Sequence, residues 1–411
     1  MPIAVQATTR VEGDRHVGRP AVMLGMAVLG FGINFWAWAL LSPLASRFTA
    51  ELGLTSLQQA LVVAVPVIVG ALGRIPVGAL TDRYGGRVMF PIVSLATVAP
   101  VLYLGLVGHG SLAGLLVGGF FLGVGGTAFA IGVPFVTAWF PAERRGLAIG
   151  VFGAGMGGTA ISALSTVKLS KAYGLQAPFL LTAAALVGYA TLAAVVLRDA
   201  PDRVTSSGST LARLRGVLAL RITWQASALY ALAFGGYVAF SVYLPTYLKT
   251  AYALTPTDAA NKMAGFVLLA VFMRPVGGWL SDRWHPSSVL SCAFVAVTAG
   301  AAVQASTPRL SPVGTAAFLL MAAALGAGTG AVFALVAQLA PVGQVGAVSG
   351  VVGAAGGLGG FVPPLLMGSI YGSSGSYALG LVLLCGVSAA ALLFTATVVR
   401  NMQGAGRPQQ V

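Results

Sequence analysis

Apolar stretches long enough to cross a bilayer recur along this chain, and very few folds accommodate them. They fall near 21–44, 57–80, 88–107, 112–138, 146–166 and 177–197, and again near 223–246, 259–280, 287–305, 313–338, 346–370 and 377–398. Each reaches or approaches the roughly 20 residues that a membrane helix needs. Of the 411 residues, 57% are hydrophobic and only 8% charged, too little charge to cover a soluble protein of this size. The sequence therefore describes an all-α membrane protein with twelve transmembrane helices. Its 56 glycines suit close helix packing in lipid, where small residues let backbones approach.

The segments divide into two groups of six. Between them lies a polar stretch, 198–222, with Arg198, Asp199, Asp202, Arg203, Arg213, Arg215, Arg221 and the run Ser206-Ser207-Gly208-Ser209. The expected organisation is an N-tail (1–20), a six-helix half (21–197), a linker (198–222), a second half (223–398) and a C-tail (399–411). The two halves repeat. Gly146-Leu147-Ala148-Ile149-Gly150-Val151-Phe152-Gly153-Ala154 returns 200 positions later as Gly346-Ala347-Val348-Ser349-Gly350-Val351-Val352-Gly353-Ala354. Gly126-Thr127-Ala128-Phe129-Ala130 is echoed by Gly330-Ala331-Val332-Phe333-Ala334. Two pseudo-symmetric six-helix halves with a site between them describe a secondary transporter that works by rocking.

Lysine and arginine set the orientation. With both termini inside, the cytoplasmic tails, turns and linker hold fifteen of the 23 basic residues, and the outer loops hold Arg47, Lys168, Lys171, Lys249, Lys262 and Arg309. The positive-inside bias places the chain in the cell membrane, multi-pass, with both ends cytoplasmic. A net charge of +14 does not indicate nucleic acid, because the basic residues are scattered singly and form no patch. The first apolar run is too long for a signal-peptide core and reads as a retained helix. Cys292 and Cys385 lie in apolar runs and read as small buried hydrophobes, with no disulfide and no metal site. No phosphate-binding Gly-x-x-x-x-Gly-Lys-Ser/Thr loop is present, so ATP does not drive the protein directly, and no cofactor or enzymatic motif is expected. A monomer in the lipid bilayer is the expected state.

Two basic residues remain, and both lie inside apolar runs. Arg74 precedes Asp82-Arg83 and Arg87, and Arg274 precedes Asp282-Arg283 with the same spacing, 200 positions on. An arginine at membrane depth costs about 2.5–3.5 kcal/mol on insertion scales. The nine acidic residues are Glu12, Asp14, Glu51, Asp82, Glu143, Asp199, Asp202, Asp258 and Asp282, all in tails, loops or helix ends. No carboxylate lies deep enough in a predicted helix to pair with either arginine, so the expected partner is the cargo. Two forked guanidiniums facing one cavity from opposite halves favour a small anion. The alternative is that each arginine snorkels to the surface or caps a neighbour's carbonyls; the repeat and the missing counter-ion favour the anion.

Asp82, Arg83, Arg87, Asp282 and Arg283 lie in turns at the cytoplasmic face and read either as interhelical ties that open and close or as plain anchoring charges. The glycine runs around Gly153, Gly157, Gly353 and Gly357 are explained by close packing, with helix sliding or approach to a small ligand as a further use. Phe129, Tyr230, Phe234 and Phe333 are helical aromatics that suit either core packing or a dry pocket for an anion. His16, His109 and His285 lie in loops or tails and suggest no proton relay.

Gly78-x-Leu80-x-Asp82-Arg83-x-Gly85-Gly86-Arg87 resembles the signature between the second and third helices of the major facilitator superfamily. The arginine pair, Phe129 ahead of Phe140-Pro141, the stretch Gly150 to Thr159 and the stretch Ser349 to Phe361 narrow the resemblance to the nitrate/nitrite porter family. Tyr230 and Phe234 sit as that family's site aromatics do. The resemblance covers nearly the whole chain. It implies the major facilitator fold, with Arg74 and Arg274 clamping nitrate or nitrite, Phe129 and Phe234 enclosing the flat anion and Tyr230 nearby. Two positions depart from the family pattern. Met156 or a glycine replaces an asparagine in the fifth segment, and Gly328-Thr329-Gly330 stands where an asparagine between glycines is usual. Transport is expected as nitrate/nitrite exchange or as proton-coupled nitrate uptake. A carrier of another small anion (a monocarboxylate, formate-like ion or cyanate) and a transporter-like membrane sensor are the competing readings.

Overall fold

The computed structural model of the protein describes residues 19–201, 203, 210–374 and 376–399. Most of the two expected tails, with Arg10, Arg15, Arg400 and Arg407, and the run Ser206 to Ser209 lie outside the described residues. Among the described residues, twelve long helices make up the body. The first six are α1 (Pro20–Ala45), α2 (Ser56–Tyr84), α3 (Gly86–Leu106), α4 (Leu112–Trp139), α5 (Ala142–Tyr173) and α6 (Gln176–Val196). The second six are α7 (Arg221–Tyr252), α8 (Pro256–Arg283), α9 (Pro286–Ala305), α10 (Leu310–Leu339), α11 (Val345–Ser374) and α12 (Ala378–Thr397). Ten contain a stretch long and apolar enough to cross a membrane; α7 and α11 join them at 32 and 30 residues. No strand occurs among the described residues. The protein is a multi-pass membrane protein.

The two six-helix halves repeat one another in packing as in sequence. In the first, α3 packs against α6 and α2 against α4; in the second, α9 packs against α12 and α8 against α10. Even helix starts match. Thr55 caps α2 by accepting from the Gln58 amide at 3.3 Å, and Thr255 caps α8 by accepting from the Asp258 amide at 3.2 Å. The halves meet crosswise: α2 lies along α11, and α5 along α8. Because α2 corresponds to α8 and α5 to α11, the two seams are equivalent under an approximate two-fold axis.

Apolar length locates the helices but not their ends. α5 runs on from the expected 166 to Tyr173, because Ser165, Lys168 and Lys171 are compatible with helix. It stops at Gly174, whose φ of 89° lies in the left-handed region that favours glycine. The segment expected as plain linker holds a short helix, Thr210–Ala219.

Candidate functional site

The seams are built on glycines. A β-carbon added at Gly78 would overlap the backbone carbonyl of Gly346, and one at Gly278 that of Gly146. Further along, one at Gly150 would come within 2.6 Å of the Pro275 Cα, and one at Gly350 would overlap the Arg74 carbonyl. Only glycine permits this backbone approach. Gly153 and Gly353 come next, where an added β-carbon would lie 3.3 and 3.1 Å from the side chains of Arg274 and Arg74. Beyond them the seams differ: Gly357 packs on Ala71, whereas Gly157 faces open space.

The end of each seam farther from the arginines carries an aspartate. Asp82 Oδ1 and Oδ2 accept from the backbone amides of Gly346 (2.9 Å) and Ala347 (2.8 Å) at the start of α11. Asp282 accepts in the same way from Gly146 and Leu147, both at 2.7 Å, in α5. Arg83 and Arg283 instead stack on aromatic neighbours of their own helices, Tyr84 at 5.2 Å and Trp279 at 4.3 Å. Arg87 offers its backbone amide to Asp199 at 3.2 Å.

At the inner end of this zone lie the two arginines, 3% and 4% exposed, and neither makes an ion pair among the described residues. Arg74 donates through Nε to the Gly126 carbonyl at 3.1 Å and through Nη1 to the Gly353 carbonyl of the other half at 2.9 Å. The Gly126 carbonyl is supplied by the 3-10 stretch Gly123–Thr127 within α4. Arg274 donates through Nη2 to the Tyr230 hydroxyl at 3.2 Å, and its Nη1 meets the Met156 Sδ. Met156 lies in the 3-10 stretch Ala154–Gly157 of α5.

Aromatic rings fill the space around the pair. Arg74 Cζ lies 5.4 Å from the Phe129 ring and 5.9 Å from Phe35; Arg274 Cζ lies 5.7 Å from Phe234. Tyr230 stacks on Phe234 (5.0 Å, 4°) and faces Phe129 at 6.5 Å. Phe333 meets both Phe129 (4.8 Å) and Tyr230 (4.7 Å) edge-on. The structure thus gathers all five residues expected to bind the anion, Arg74, Arg274, Phe129, Tyr230 and Phe234, into one cluster drawn from α2, α8, α4 and α7. It adds Phe35 and the carbonyls of Gly126 and Gly353, which carry no sequence signal as ligands. Phe333 joins them through ring contacts that helical spacing alone does not reveal.

Two helical halves that enclose unpaired positive charge at their interface define a secondary transporter rather than an enzyme. Comparison with known proteins specifies the kind. The family model of the Major Facilitator Superfamily matches residues 27–364 and 226–409. The probable nitrate/nitrite transporter NarK2 of Mycobacterium tuberculosis is 47% identical over 375 residues, 90% of this chain and 94% of that protein. The nitrite extrusion protein of Bacillus subtilis is 34% identical over 377 residues, 92% of this chain and 94% of that protein. The solved structure of the proton:xylose symporter XylE has a TM-score of 0.77 at 14% identity, covering 93% of this chain and 96% of that one, a likeness of fold alone. The chain belongs to the Major Facilitator Superfamily, in the nitrate/nitrite porter branch that the two sequence relatives represent.

Proposed function

We propose that this protein carries nitrate and nitrite across the cytoplasmic membrane by alternating access, with Arg74 and Arg274 as the clamp. The observation that carries the reading is their placement. Two guanidiniums from opposite halves are buried at one interface with no carboxylate among the described residues to neutralise them, and a buried unpaired cation is strongly disfavoured. A small planar anion between them supplies the missing charge and accepts from the N–H groups still free. Flat rings on α4 and α7 suit a flat solute and keep water out. The names of the sequence relatives point to the same anions.

In this reading the chain acts as a monomer of two moving units, 21–197 and 223–398, joined by the linker 198–222. The tails and the end bearing Asp82 and Asp282 face the cytoplasm, as the positive-inside bias expects. Asp82, Asp282 and the glycines of the seams form the gate on that side, supported by the hydrogen bonds of the two aspartates to Gly346 and Gly146.

Purified protein in liposomes tests the proposal. Nitrate or nitrite flux is expected, and Arg74→Ala or Arg274→Ala is expected to lower it at least roughly 100-fold, as loss of a charge-assisted ligand of about 3 kcal/mol implies. No flux of either anion, with formate, cyanate or another monocarboxylate moving instead, would replace nitrate by a different small anion. Undiminished flux in both variants would overturn the clamp.

A further inference from the structure

Arg74 is aimed by both halves of the molecule at once. Its Nε donates to the Gly126 carbonyl at 3.1 Å, within its own half, and its Nη1 donates to the Gly353 carbonyl of α11 at 2.9 Å. A guanidinium carries five N–H groups in one rigid plane. Two bonds on different nitrogens therefore fix its orientation as well as its position, and Nη2 is left with no acceptor among the described residues. Gly353 can bring its carbonyl this close because it has no side chain. A β-carbon there would lie 3.1 Å from Arg74 Cδ and 3.6 Å from the Phe129 ring. The equivalent arginine is held otherwise. Arg274 finds its oxygen acceptor, the Tyr230 hydroxyl, inside its own half, and Gly153, the counterpart of Gly353, makes no hydrogen bond with it.

We propose that Gly353 is a positioning residue for the anion clamp, whose carbonyl makes Arg74 hold the anion tightest while α2 and α11 are in contact. The inference rests on the anion-carrier reading above. Preorganisation is the physical reason: a donor already fixed in its binding geometry loses little further freedom when the anion arrives. Rocking of the halves that parts α2 from α11 withdraws the Gly353 carbonyl and leaves the Gly126 carbonyl in place, because only Gly126 travels with Arg74. The guanidinium then keeps one of its two bonds, its orientation loosens, and the anion is held less firmly on the side where the seam has opened. Opening and release become one event at Arg74, whereas Arg274 and Tyr230 move together and keep their geometry. By linkage, the bound anion in turn favours contact between α2 and α11.

A backbone carbonyl is tested by weakening it in place. Replacing Ala354 by its α-hydroxy acid, lactic acid, turns the peptide link after Gly353 into an ester, whose carbonyl is a poorer acceptor. The same replacement of Ala154 weakens the Gly153 carbonyl and removes the same backbone N–H from α5, without weakening a bond to either arginine. The full-length proteins are compared in liposomes for nitrate uptake. The ester at Ala354 is expected to raise KM roughly threefold or more, within the range of one net hydrogen bond, and the ester at Ala154 to change it by less than about twofold. An unchanged KM for the first, or equal rises in both, overturns the proposal. A second measurement reads the linkage. In Asp82→Ala, which lacks the tie from α2 to Gly346, spin labels at the N-terminal ends of α3 and α11 are expected to draw together when saturating nitrate is added. Distances that stay the same or lengthen overturn the proposal, and this measurement decides alone if the Ala354 ester does not transport. A wild type that moves neither nitrate nor nitrite overturns the anion-carrier reading itself, a distinct result, and this inference with it.

Discussion

The carboxylate of Asp82 meets the backbone amide of Gly346 at 2.9 Å, joining the two halves of the molecule through a side chain of one and the backbone of the other. Asp282 repeats the arrangement with Gly146 at 2.7 Å. In each case a negative charge sits at a helix N-terminus, where unpaired amides and the helix dipole both favour it. A hydrogen bond to a charged group is worth about 1.5–3 kcal/mol. Asp82→Ala and Asp282→Ala are therefore each expected to shift the population towards the state open at this end by roughly 10–100-fold. Asp82→Asn, which keeps one acceptor oxygen, should fall between. Spin labels at the N-terminal ends of α3 and α11, with distances read by double electron–electron resonance, check the order. Unchanged distances in both alanine variants would remove the aspartates from the gate.

Glycine positions along one seam make opposite predictions. A methyl group at Gly146 meets the Gly278 carbonyl and the Asp282 carboxylate, so Gly146→Ala forces the closed seam apart. Overpacking of this kind typically costs about 1–3 kcal/mol. At Gly157, where nothing lies within 4 Å, the same change should instead stabilise the helix by about 0.5–1 kcal/mol through reduced backbone entropy. Thermal unfolding in detergent should rank Gly157→Ala at or above wild type and Gly146→Ala below it.

Tyr230 is a positioning residue for Arg274, and its ring is fixed independently of its hydroxyl by Phe234 and Phe333. Tyr230→Phe should leave the ring in place and release only the guanidinium. Nitrate KM is expected to rise roughly three- to tenfold, corresponding to the 0.5–1.5 kcal/mol of a typical net hydrogen bond, with unfolding temperature nearly unchanged. Arg274→Lys should do more harm, because a lysine keeps the charge but loses the fork that serves Tyr230 and the anion together. Initial-rate transport kinetics on the two variants, with protein level matched, separate the effects.

How much of this was legible beforehand depended on where the partner atoms lie. The helices were legible because apolar length is a local property. The buried arginine pair was legible because Arg74 and Arg274 are charges inside apolar runs and recur at one spacing. Asp82 and Asp282 could be seen as gate candidates, yet their partners are backbone amides of Gly346 and Gly146, which leave no mark in side-chain chemistry. The same holds for the carbonyls of Gly126 and Gly353 that hold Arg74. A departure from the family's asparagine was visible at Met156 or a neighbouring glycine. The meeting of Met156 with Arg274 depends on the 3-10 turn at Ala154–Gly157, which glycine spacing permits without announcing. Phe35 is one aromatic among 20 phenylalanines, and only packing against Arg74 distinguishes it.

The same clamp bears on coupling. A carrier returning empty must carry two uncompensated guanidiniums, each nearly fully buried, through the rearrangement. The cost of holding an unpaired ion in a medium of low dielectric is several kcal/mol, and a bound anion on the return leg offsets much of it. Neither arginine has, among the hydrogen-bond and ion-pair partners of the described residues, a carboxylate for a proton to neutralise in step with the anion. Exchange is therefore the expected mode. Liposomes loaded with nitrite should take up external nitrate at least roughly tenfold faster than liposomes without a trans anion, a difference of about 1.4 kcal/mol in the barrier to return. An inward pH gradient imposed without trans anion should restore little of that rate. Should the pH gradient alone restore it, proton coupling replaces exchange, and the proton must be carried by a group outside the clamp described above.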